Sequence, residues 1–393
     1  MPKITLGHLQ ISETGKQYVM RALNNNRLSR GPFTAQFEGK FAGLHGCDHG
    51  VFCNSGTSAL QIALAALKEH DKWEDGDEVL VPATTFIATS NVVLQNNLKP
   101  VFVEVDSRTF NMDPEDIEHR ITSRTRAIIP AHLFGLSCDM VSIMRVAKTY
   151  HLRVLEDSCE TVCAGILDKP VGSFGDLSAF SVYVNHLIVG GVGGLVTTNN
   201  HKLAELCMSY MQHGRDSIYT NISDDDGLSG NDLKNIIERR FRFERVGYSY
   251  RATELEAAIA LSELEKWEDN ISRRRENAAY LTFLLSDLKN HFQLPVIPPG
   301  FTHSFMMFPF VMKYLDRDKF LLFLEERQIE TRFLFPLLSQ PIYQRLFPEL
   351  DASYPVSQKL ARQGAMIGIH QGLSPDDIVY ISDAFHEYIR GIK

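Results

Sequence analysis

The chain of 393 residues carries a formal net charge of −8, and 44% of its residues are hydrophobic. Single hydrophobic cores stop growing at about 250–300 residues, so this length predicts two lobes. Basic residues are scattered rather than clustered, which argues against binding to nucleic acid or to an anionic membrane surface. There is no signal-peptide pattern and no apolar run long enough to span a bilayer. We therefore expect a cytoplasmic protein whose six cysteines are reduced thiols.

Short β-rich segments alternate with helix-like segments over the first two thirds of the chain. The pattern predicts a mainly parallel sheet with right-handed helical crossovers. The predicted strands span residues 50–53, 78–82, 100–105, 127–131, 153–157, 177–182 and 195–198. Residues 57–69 and 140–150 carry apolar side chains at helical spacing and are long enough to cover the sheet.

The composition changes towards the C-terminus. A charged helix is predicted around residues 273–277, and a proline-rich break at 294–300 precedes a second αβ segment. We place the boundary near Asn270, which gives a large domain with an N-terminal arm (1–269) and a small C-terminal domain (270–393). Residues 221–235, rich in Asp, Gly, Ser and Asn, are predicted to form a surface loop that could act as a lid.

Residues 54–60, Asn-Ser-Gly-Thr-Ser-Ala-Leu, connect a predicted strand to a predicted helix. Helix N-termini bind phosphate through free N–H groups and the positive end of the helix dipole, and Thr57 can add a hydroxyl contact. An ordinary N-cap explains the same Ser, Gly and Thr equally well. Both interpretations stay open on this motif alone.

Asp157 and Phe86 end predicted strands, at the edge where open α/β sheets bind ligands. A buried carboxylate at position 157 could hold the proton of a pyridinium ring and keep that ring cationic. Alternatively, Asp157 caps the next loop. Phe86 could stack on a flat cofactor, or it could be an ordinary core aromatic residue.

Residues 180–186, followed by the glycine-rich stretch 190–194, have the pattern of a cofactor-anchoring segment whose lysine has become His186. No lysine occurs from Pro170 to His201. A lysine amine binds pyridoxal phosphate covalently, whereas an imidazole does not, although it can move protons near neutral pH. We therefore expect any such cofactor to be held noncovalently.

Together these motifs resemble the DegT/DnrJ/EryC1/StrS family of sugar aminotransferases, which are fold-type-I pyridoxal phosphate enzymes acting on nucleotide-linked keto sugars. The resemblance covers almost the whole chain, at residues 30–33, 37–38, 54–60, 82–86, 156–157, 180–194 and 247–251. It implies an α/β fold with a mainly parallel sheet in the large, cofactor-binding domain and a smaller α+β C-terminal domain. It also implies a homodimer with cofactor sites near the interface.

The resemblance assigns seven residues to the cofactor site: Gly56, Thr57, Phe86, Asp157, Glu160, Ser181 and Ser249. By family analogy, Gly56, Thr57 and Ser181 contact the cofactor phosphate. Phe86 stacks on the ring, and Asp157 pairs with the ring nitrogen.

Ser249 departs from the family, in which an Asn usually reaches the phosphate across the dimer interface. A serine hydroxyl could still bind phosphate, directly or through water.

Within the family, His186 resembles the lysine-less 3-dehydratase branch, of the GDP-4-keto-6-deoxymannose 3-dehydratase type. The same branch is indicated by Glu160, the pair His213-Gly214 and residues 368–372. His213 is a second candidate catalytic residue beside His186. The resemblance implies loss of the C3 hydroxyl from a nucleotide-linked 4-keto-6-deoxy sugar, with pyridoxamine or pyridoxal 5′-phosphate as cofactor. His186 acts as the base, and glutamate regenerates the amine form of the cofactor.

Two other functions stay open: a noncatalytic paralogue that binds a nucleotide sugar, and an atypical nucleotide-sugar aminotransferase. No metal site is expected. Cys159 and Cys163 lie near His151 in the sequence, but no second cysteine pair completes four ligands.

Overall fold

The computed structural model describes residues 3–216 and 225–392. Its helices are α1 (Glu13–Asn24), α2 (Pro32–Leu44), α3 (Gly56–His70), α4 (Ile87–Gln95), α5 (Pro114–Arg120), α6 (Met140–Tyr150), α7 (His201–Met211), α8 (Gly230–Arg239), α9 (Glu254–Leu264), α10 (Trp267–Leu284), α11 (Arg317–Glu326), α12 (Pro341–Leu346), α13 (Pro355–Gln363) and α14 (Pro375–Gly391). Its strands are β1 (His49–Cys53), β2 (Glu78–Pro82), β3 (Lys99–Val103), β4 (Thr125–Ile128), β5 (Arg153–Asp157), β6 (Gly165–Ile166), β7 (Lys169–Pro170), β8 (Leu177–Ser181), β9 (Gly194–Thr198), β10 (Phe292–Gln293), β11 (Phe308–Met312), β12 (Thr331–Phe333) and β13 (Gly364–Ile367).

A seven-stranded sheet in the order β1-β9-β8-β5-β4-β2-β3 forms the centre of the larger lobe. Strand β9 runs antiparallel to both its neighbours, and the remaining pairs are parallel. Every residue of β2, β8 and β9 is buried, as expected for strands covered by helices on both faces. The mainly parallel α/β sheet predicted from the sequence is confirmed.

Helix α3 lies in the interior of the larger lobe, as shown by an unbroken run of buried residues. All of residues 58–67 are buried, and they pack against α4, α7 and the sheet. Ser55 caps the helix by accepting the N–H of Ser58 at 3.0 Å, which fixes where the first turn begins. The start of α3 is therefore a rigid point at the carboxyl end of β1.

A second, four-stranded sheet in the order β10-β11-β13-β12 is antiparallel throughout. Its core contains a cluster of aromatic rings from Phe292, Phe310, Phe320 and Phe385. Helix α10 runs unbroken from Trp267 to Leu284 and passes through the proposed domain boundary near Asn270.

The C-terminal segment also contacts the larger sheet. Glu104, just after β3, accepts the backbone N–H groups of Val356 and Ser357, at 2.9 and 3.1 Å. Tyr354 donates its hydroxyl to the carbonyl of Phe102 at 3.1 Å. These contacts hold the segment 354–357 against the edge of the larger sheet at β3.

The predicted loop 221–235 is only partly correct. Residues 221–224 lie outside the described residues, whereas residues from Gly230 onwards belong to α8. Gly, Asn and Asp are frequent in loops, but they also suit the first turn of a helix, where Asp232 complements the helix dipole. None of the described helices is both long and apolar enough to cross a membrane.

Candidate active site

A cavity of about 720 Å³ opens at the carboxyl ends of the parallel strands. Seven of the predicted site residues line it: Gly56, Thr57, Phe86, Asp157, Glu160, Ser181 and His186. Each of them ends a strand of the larger sheet or follows one closely, which is why residues far apart in sequence meet here. His213 and Ser249 are not among the lining residues.

Gly56 opens the first turn of α3 and lines the cavity with Thr57. The first N–H groups of a helix have no partner within the helix. A Cβ on Gly56 would lie 2.8 Å from the Sγ of Cys159 and 2.8 Å from the Cβ of Ser181. These two residues fill the space, so only glycine fits here, and the first turn of α3 packs directly against the end of β8. Thr57 and Ser181 border the same position. The arrangement fits a phosphate group.

Asp157 is buried, and its carboxylate is held in one orientation. One oxygen accepts the hydroxyl of Thr89 at 2.7 Å, and the other accepts the N–H of Cys159 at 3.2 Å. Burial raises the pKa of Asp157. A protonated ring nitrogen beside this carboxyl would supply the missing countercharge, so the site fits a pyridinium ring.

Glu156 lies on the face of β5 opposite to Asp157. Its role in anchoring the neighbouring loop was not predicted from the sequence. Its two oxygens accept three backbone N–H groups, at 2.7–2.8 Å, from Gly172, Phe174 and Gly175. His132 donates through Nε2 at 3.0 Å. Although burial acts to raise the pKa of Glu156, the histidine and the N–H groups lower it, so the carboxylate is ionised.

His132 lines the cavity with its ring fixed on both sides. Nδ1 accepts the backbone N–H of Cys138 at 3.0 Å, so the ring proton lies on Nε2, next to Glu156. Although burial opposes a charge on His132, its neighbours Cys138 and Glu156 raise the pKa of the ring. The backbone N–H that Nδ1 accepts nevertheless requires this nitrogen to be unprotonated, which leaves the ring neutral. A neutral, immobile imidazole therefore forms part of the wall.

Glu160 lies in the turn after β5 and accepts the N–H of Phe134 at 3.0 Å. Burial raises the pKa of Glu160 to about 8, and the neighbouring Asp157 adds to the rise. At neutral pH this side chain is mostly a carboxylic acid that can donate a proton.

His186 lies in the turn that follows β8, where its backbone N–H donates to the carbonyl of Tyr183 at 2.9 Å. Burial lowers the pKa of His186 to about 4, so the ring is neutral near pH 7. Its Nδ1 is buried and has no hydrogen-bond partner among the described residues. An unsatisfied buried nitrogen is costly, which indicates that this position receives a ligand or water.

His213 and Ser249 lie together on exposed loops, with Arg251 between them. The guanidinium of Arg251 donates to Oγ of Ser249 at 3.1 Å and to Nε2 of His213 at 3.3 Å. The two loops cross so tightly that a Cβ on Gly214 or on Gly247 would collide with the backbone of the other loop.

The second sheet and its flanking loops supply a wall that sequence reasoning missed. The lining residues from this part of the chain are Met306, Met307, Arg332, Phe333, Phe335, Pro336, Leu337, Gln340 and Met366. Arg332 is the only lysine or arginine among the lining residues that the structure describes. The run Arg332-Phe333-Leu334-Phe335-Pro336 could have drawn attention, because it places a single cation among aromatic residues at the end of a strand.

The chain is similar to known proteins over almost its whole length. The model of the DegT/DnrJ/EryC1/StrS aminotransferase family matches residues 9–386. The chain is 32% identical to GDP-perosamine synthase of Caulobacter vibrioides over 383 residues, which is 96% of each chain. It is 31% identical to dTDP-4-dehydro-2,6-dideoxy-D-glucose 3-dehydratase of Saccharopolyspora spinosa over 393 residues, covering 96% of this chain and 85% of that one.

Solved structures show the same architecture. The E. coli GDP-4-keto-6-deoxy-D-mannose-3-dehydratase with bound hydrated PLP superposes with a TM-score of 0.89 at 25% identity, covering 98% of this chain and 99% of that one. An aminotransferase from Psychrobacter cryohalolentis superposes with a TM-score of 0.88 at 26% identity over the whole of both chains. Both kinds of enzyme share this fold.

The raised pKa of Glu160 predicts a pH-dependent stability difference. The pKa of this carboxyl is higher in the folded protein than in the unfolded protein. Its contribution to folding stability therefore falls as the pH rises from the pKa of the unfolded state to about 8. Glu160→Gln removes this titration. The free energy of unfolding of the variant, relative to that of wild type, should therefore rise by more than about 1 kcal/mol between pH 5 and pH 8. Urea unfolding of the cofactor-free protein measures the difference. The exposed Glu13→Gln is the control, and parallel stability curves for wild type and Glu160→Gln would contradict the prediction.

Proposed function

This chain belongs to the DegT/DnrJ/EryC1/StrS aminotransferase family, and we propose that it removes the C3 hydroxyl from a nucleotide-linked 4-keto-6-deoxy sugar. Pyridoxal or pyridoxamine 5′-phosphate is its cofactor, as in the PLP-bound structural neighbour. The observation that carries the proposal is His186 in the cavity, together with the absence of any lysine from the described lining residues. Nothing among those residues can bind the cofactor covalently through an amine.

The cavity residues have separate binding roles in this proposal. The first turn of α3, at Gly56 and Thr57, holds the phosphate with Ser181. Asp157 holds the proton on the ring nitrogen, and Phe86 covers the ring face. Once bound in this way, the cofactor supplies an electron sink for the bond that breaks in the sugar.

His186 is suited to both taking and giving a proton. The ring is neutral near pH 7, so a ring nitrogen can accept a proton in the cavity. Its low pKa also makes the protonated ring a strong acid, which helps a hydroxyl to leave as water. Glu160 is a second proton donor on the same wall because its pKa is about 8.

Transamination is the second candidate reaction, because relatives at 32% identity are named GDP-perosamine synthase. Both reactions use glutamate in our proposal, to convert the cofactor to its amine form. They differ in product, since transamination leaves an amino sugar and dehydration releases ammonia with a 3-deoxy sugar. A noncatalytic role would yield neither.

The six free thiols support a cytoplasmic location as part of this proposal.

Replacement of His186 tests the proposal directly. Wild type, incubated with cofactor, glutamate and a panel of nucleotide-linked 4-keto-6-deoxy sugars, should release ammonia and a sugar that lacks the C3 oxygen. His186→Ala should lower this rate by at least ~100-fold, because it removes the group that moves the proton. Mass spectrometry of the sugar and an ammonia assay measure the products. His201→Ala, at an exposed histidine, is the control and should behave as wild type.

The outcomes separate the candidate functions. An amino sugar from the wild-type protein would support transamination instead. An unchanged panel, despite bound cofactor, would count against both reactions and favour the noncatalytic role.

We also propose that Arg332 binds the diphosphate of the nucleotide-linked substrate. Its guanidinium is the only one in the described lining, it is 54% exposed, and it pairs with Glu330 at 2.6 Å. A diphosphate carries more charge than one carboxylate and matches the geometry of a guanidinium. Phe333 and Phe86 also line the cavity, are 46% and 55% exposed, and offer apolar surface to the substrate.

Arg332→Met should therefore raise KM for the nucleotide sugar by ~10–100-fold, the value of one or two charge-assisted hydrogen bonds, and change kcat little. Steady-state kinetics separates the two constants. Arg345→Met is the matched control, since Arg345 is exposed on α12 and does not line the cavity. An unchanged KM in Arg332→Met would refute the assignment.

We further propose a homodimer in which His213 and Ser249 serve the partner's cavity. Neither residue lines the cavity of its own chain, although both lie on ordered, tightly crossed loops. The neighbouring Phe241 and Val246 are 82% and 94% exposed, which is unusual for large apolar side chains unless another surface covers them. Ser249 would then contact the cofactor phosphate from across the interface.

Subunit complementation tests this arrangement. Ser249→Glu places a negative charge against the phosphate, and both Ser249→Glu and His186→Ala should be nearly inactive alone. Mixed and reassociated, they should recover roughly a quarter of wild-type activity, since half of the dimers are mixed and each has one intact site. No recovery, with mixed dimers demonstrated by differential tagging, would show that Ser249 acts within its own chain. Ser249→Ala controls for loss of the hydroxyl alone.

A further inference from the structure

Residues 4–7 form a strap that contacts both sides of the cavity. Two of its side chains lie in different hydrophobic cores. Ile4 is buried in the core of the second sheet. Leu6 is buried in another core cluster, which contains Leu187, the residue that follows His186. Side chains only two residues apart therefore anchor the strap in both cores.

Backbone hydrogen bonds join the strap to the second sheet. The N–H of Ile4 donates to the carbonyl of Gln328 at 2.8 Å, and the carbonyl of Ile4 accepts the N–H of Glu330 at 2.9 Å. A Cβ on Gly368 would lie 2.1 Å from the carbonyl oxygen of Thr5, so only glycine permits this approach of the second sheet to the strap. The strap is therefore fixed beside the start of β12.

Glu330 connects the strap to the cation of the cavity. One carboxylate oxygen of Glu330 pairs with Arg332 at 2.6 Å, and the other accepts the backbone N–H of Leu6 at 3.3 Å. Because the strap holds one oxygen, the carboxylate has a defined position from which to orient the guanidinium.

The other end of the strap contacts the turn that carries His186. A Cβ on Gly7 would lie 2.7 Å from Oδ1 and 2.8 Å from Cα of Asn185. Asn185 lines the cavity together with His186. The hydroxyl of Thr5 donates to the carbonyl of Gly7 at 2.7 Å, which holds the strap in its course at this point. Only a glycine allows the strap to come so close to the turn.

We propose that the strap positions the two walls of the cavity for the reaction: it holds the turn of Asn185 and His186 at a fixed distance from β12, which carries Arg332. The inference rests on the proposed roles of His186 and Arg332. Since one acts on the sugar and the other binds the diphosphate, the separation of the walls determines where the reacting carbon lies relative to the imidazole. A misplacement of about 1 Å can lower a rate by ~100-fold.

Stabilisation of the second sheet alone is the competing interpretation. In that case, loss of the Ile4 side chain would act like loss of any other isoleucine from the same core. Positioning by the strap predicts a different result. Loss of the anchor in the second sheet should loosen the turn of His186 on the other wall, because the strap is what joins the two.

Backbone hydrogen exchange, followed by mass spectrometry in the full-length, cofactor-free protein, separates the two interpretations. The amide of His186 is protected, since it donates to the carbonyl of Tyr183 at 2.9 Å. Ile4→Ala should raise the exchange rate of the peptide 183–190 by ~10-fold, because the turn loses its support and opens more often. Ile389→Ala is the matched control, since it removes the same atoms from the same core, on α14. It should leave the exchange of 183–190 as in wild type.

An equal rise in Ile4→Ala and Ile389→Ala would overturn the proposal and reduce the strap to an ordinary core contact. No rise in Ile4→Ala would overturn it as well. If an alanine variant fails to fold, Ile4→Val and Ile389→Val give the same comparison with a smaller deletion. No substrate is present, so a failure here is distinct from a failure of the proposed function.

Steady-state kinetics tests the contact between Gly7 and the turn. Gly7→Ala places a methyl group against Asn185 and should lower kcat by ~10-fold or more, because it displaces His186. KM for the nucleotide sugar should stay within ~3-fold of wild type, since Arg332 keeps its contacts. Gly39→Ala on α2, where a Cβ would meet nothing within 4 Å, is the control and should behave as wild type.

An unchanged kcat in Gly7→Ala would contradict the positioning role. Absence of turnover in wild type would count against the proposed function instead, and the exchange measurement would then decide the role of the strap.

Discussion

The ionised carboxylate of Glu156 is the constraint on which the site depends. Glu156 is the penultimate residue of the central strand β5, and its carboxylate accepts three N–H groups from residues 172–175 and one from His132. Successive side chains of a strand point to opposite faces, so fixing Glu156 on one side directs Asp157 to the other, towards the cavity. The turn that carries Cys159 and Glu160 follows at once. Burial of this charge is tolerated only because every donor is in place, which makes the end of the strand rigid.

Burial also controls the protonation of the groups that face the cavity. It keeps Glu160 mostly protonated and His186 neutral, although one is an acid and the other a base. Both effects follow from the cost of a charge away from water. The site therefore offers a proton donor and a proton acceptor together at one pH.

Much of the fold was predictable, because it depends on local hydrophobic pattern. Strands β2 and β5 and helix α6 begin and end at the predicted residues. The cavity-lining candidates came from motifs at strand ends together with the family resemblance, which supplied their roles. Arg332, Met306 and the pair of His132 with Glu156 were missed, since their place depends on docking of distant segments. The predicted loop 221–235 includes the beginning of α8, from Gly230 to Asn235, because this part of the helix has a loop-like composition. The continuous α10 gives no local sign of where one lobe ends.

A cavity without a lysine among its described lining residues also has a consequence for the resting protein. A cofactor held only by hydrogen bonds, charge and stacking exchanges with the surrounding solution, so the loaded fraction follows the free cofactor concentration by mass action. Occupancy then contributes to folding stability in proportion to the logarithm of that concentration. In such a protein, the supply of free cofactor determines both the fraction of molecules that stay folded and the fraction that are active.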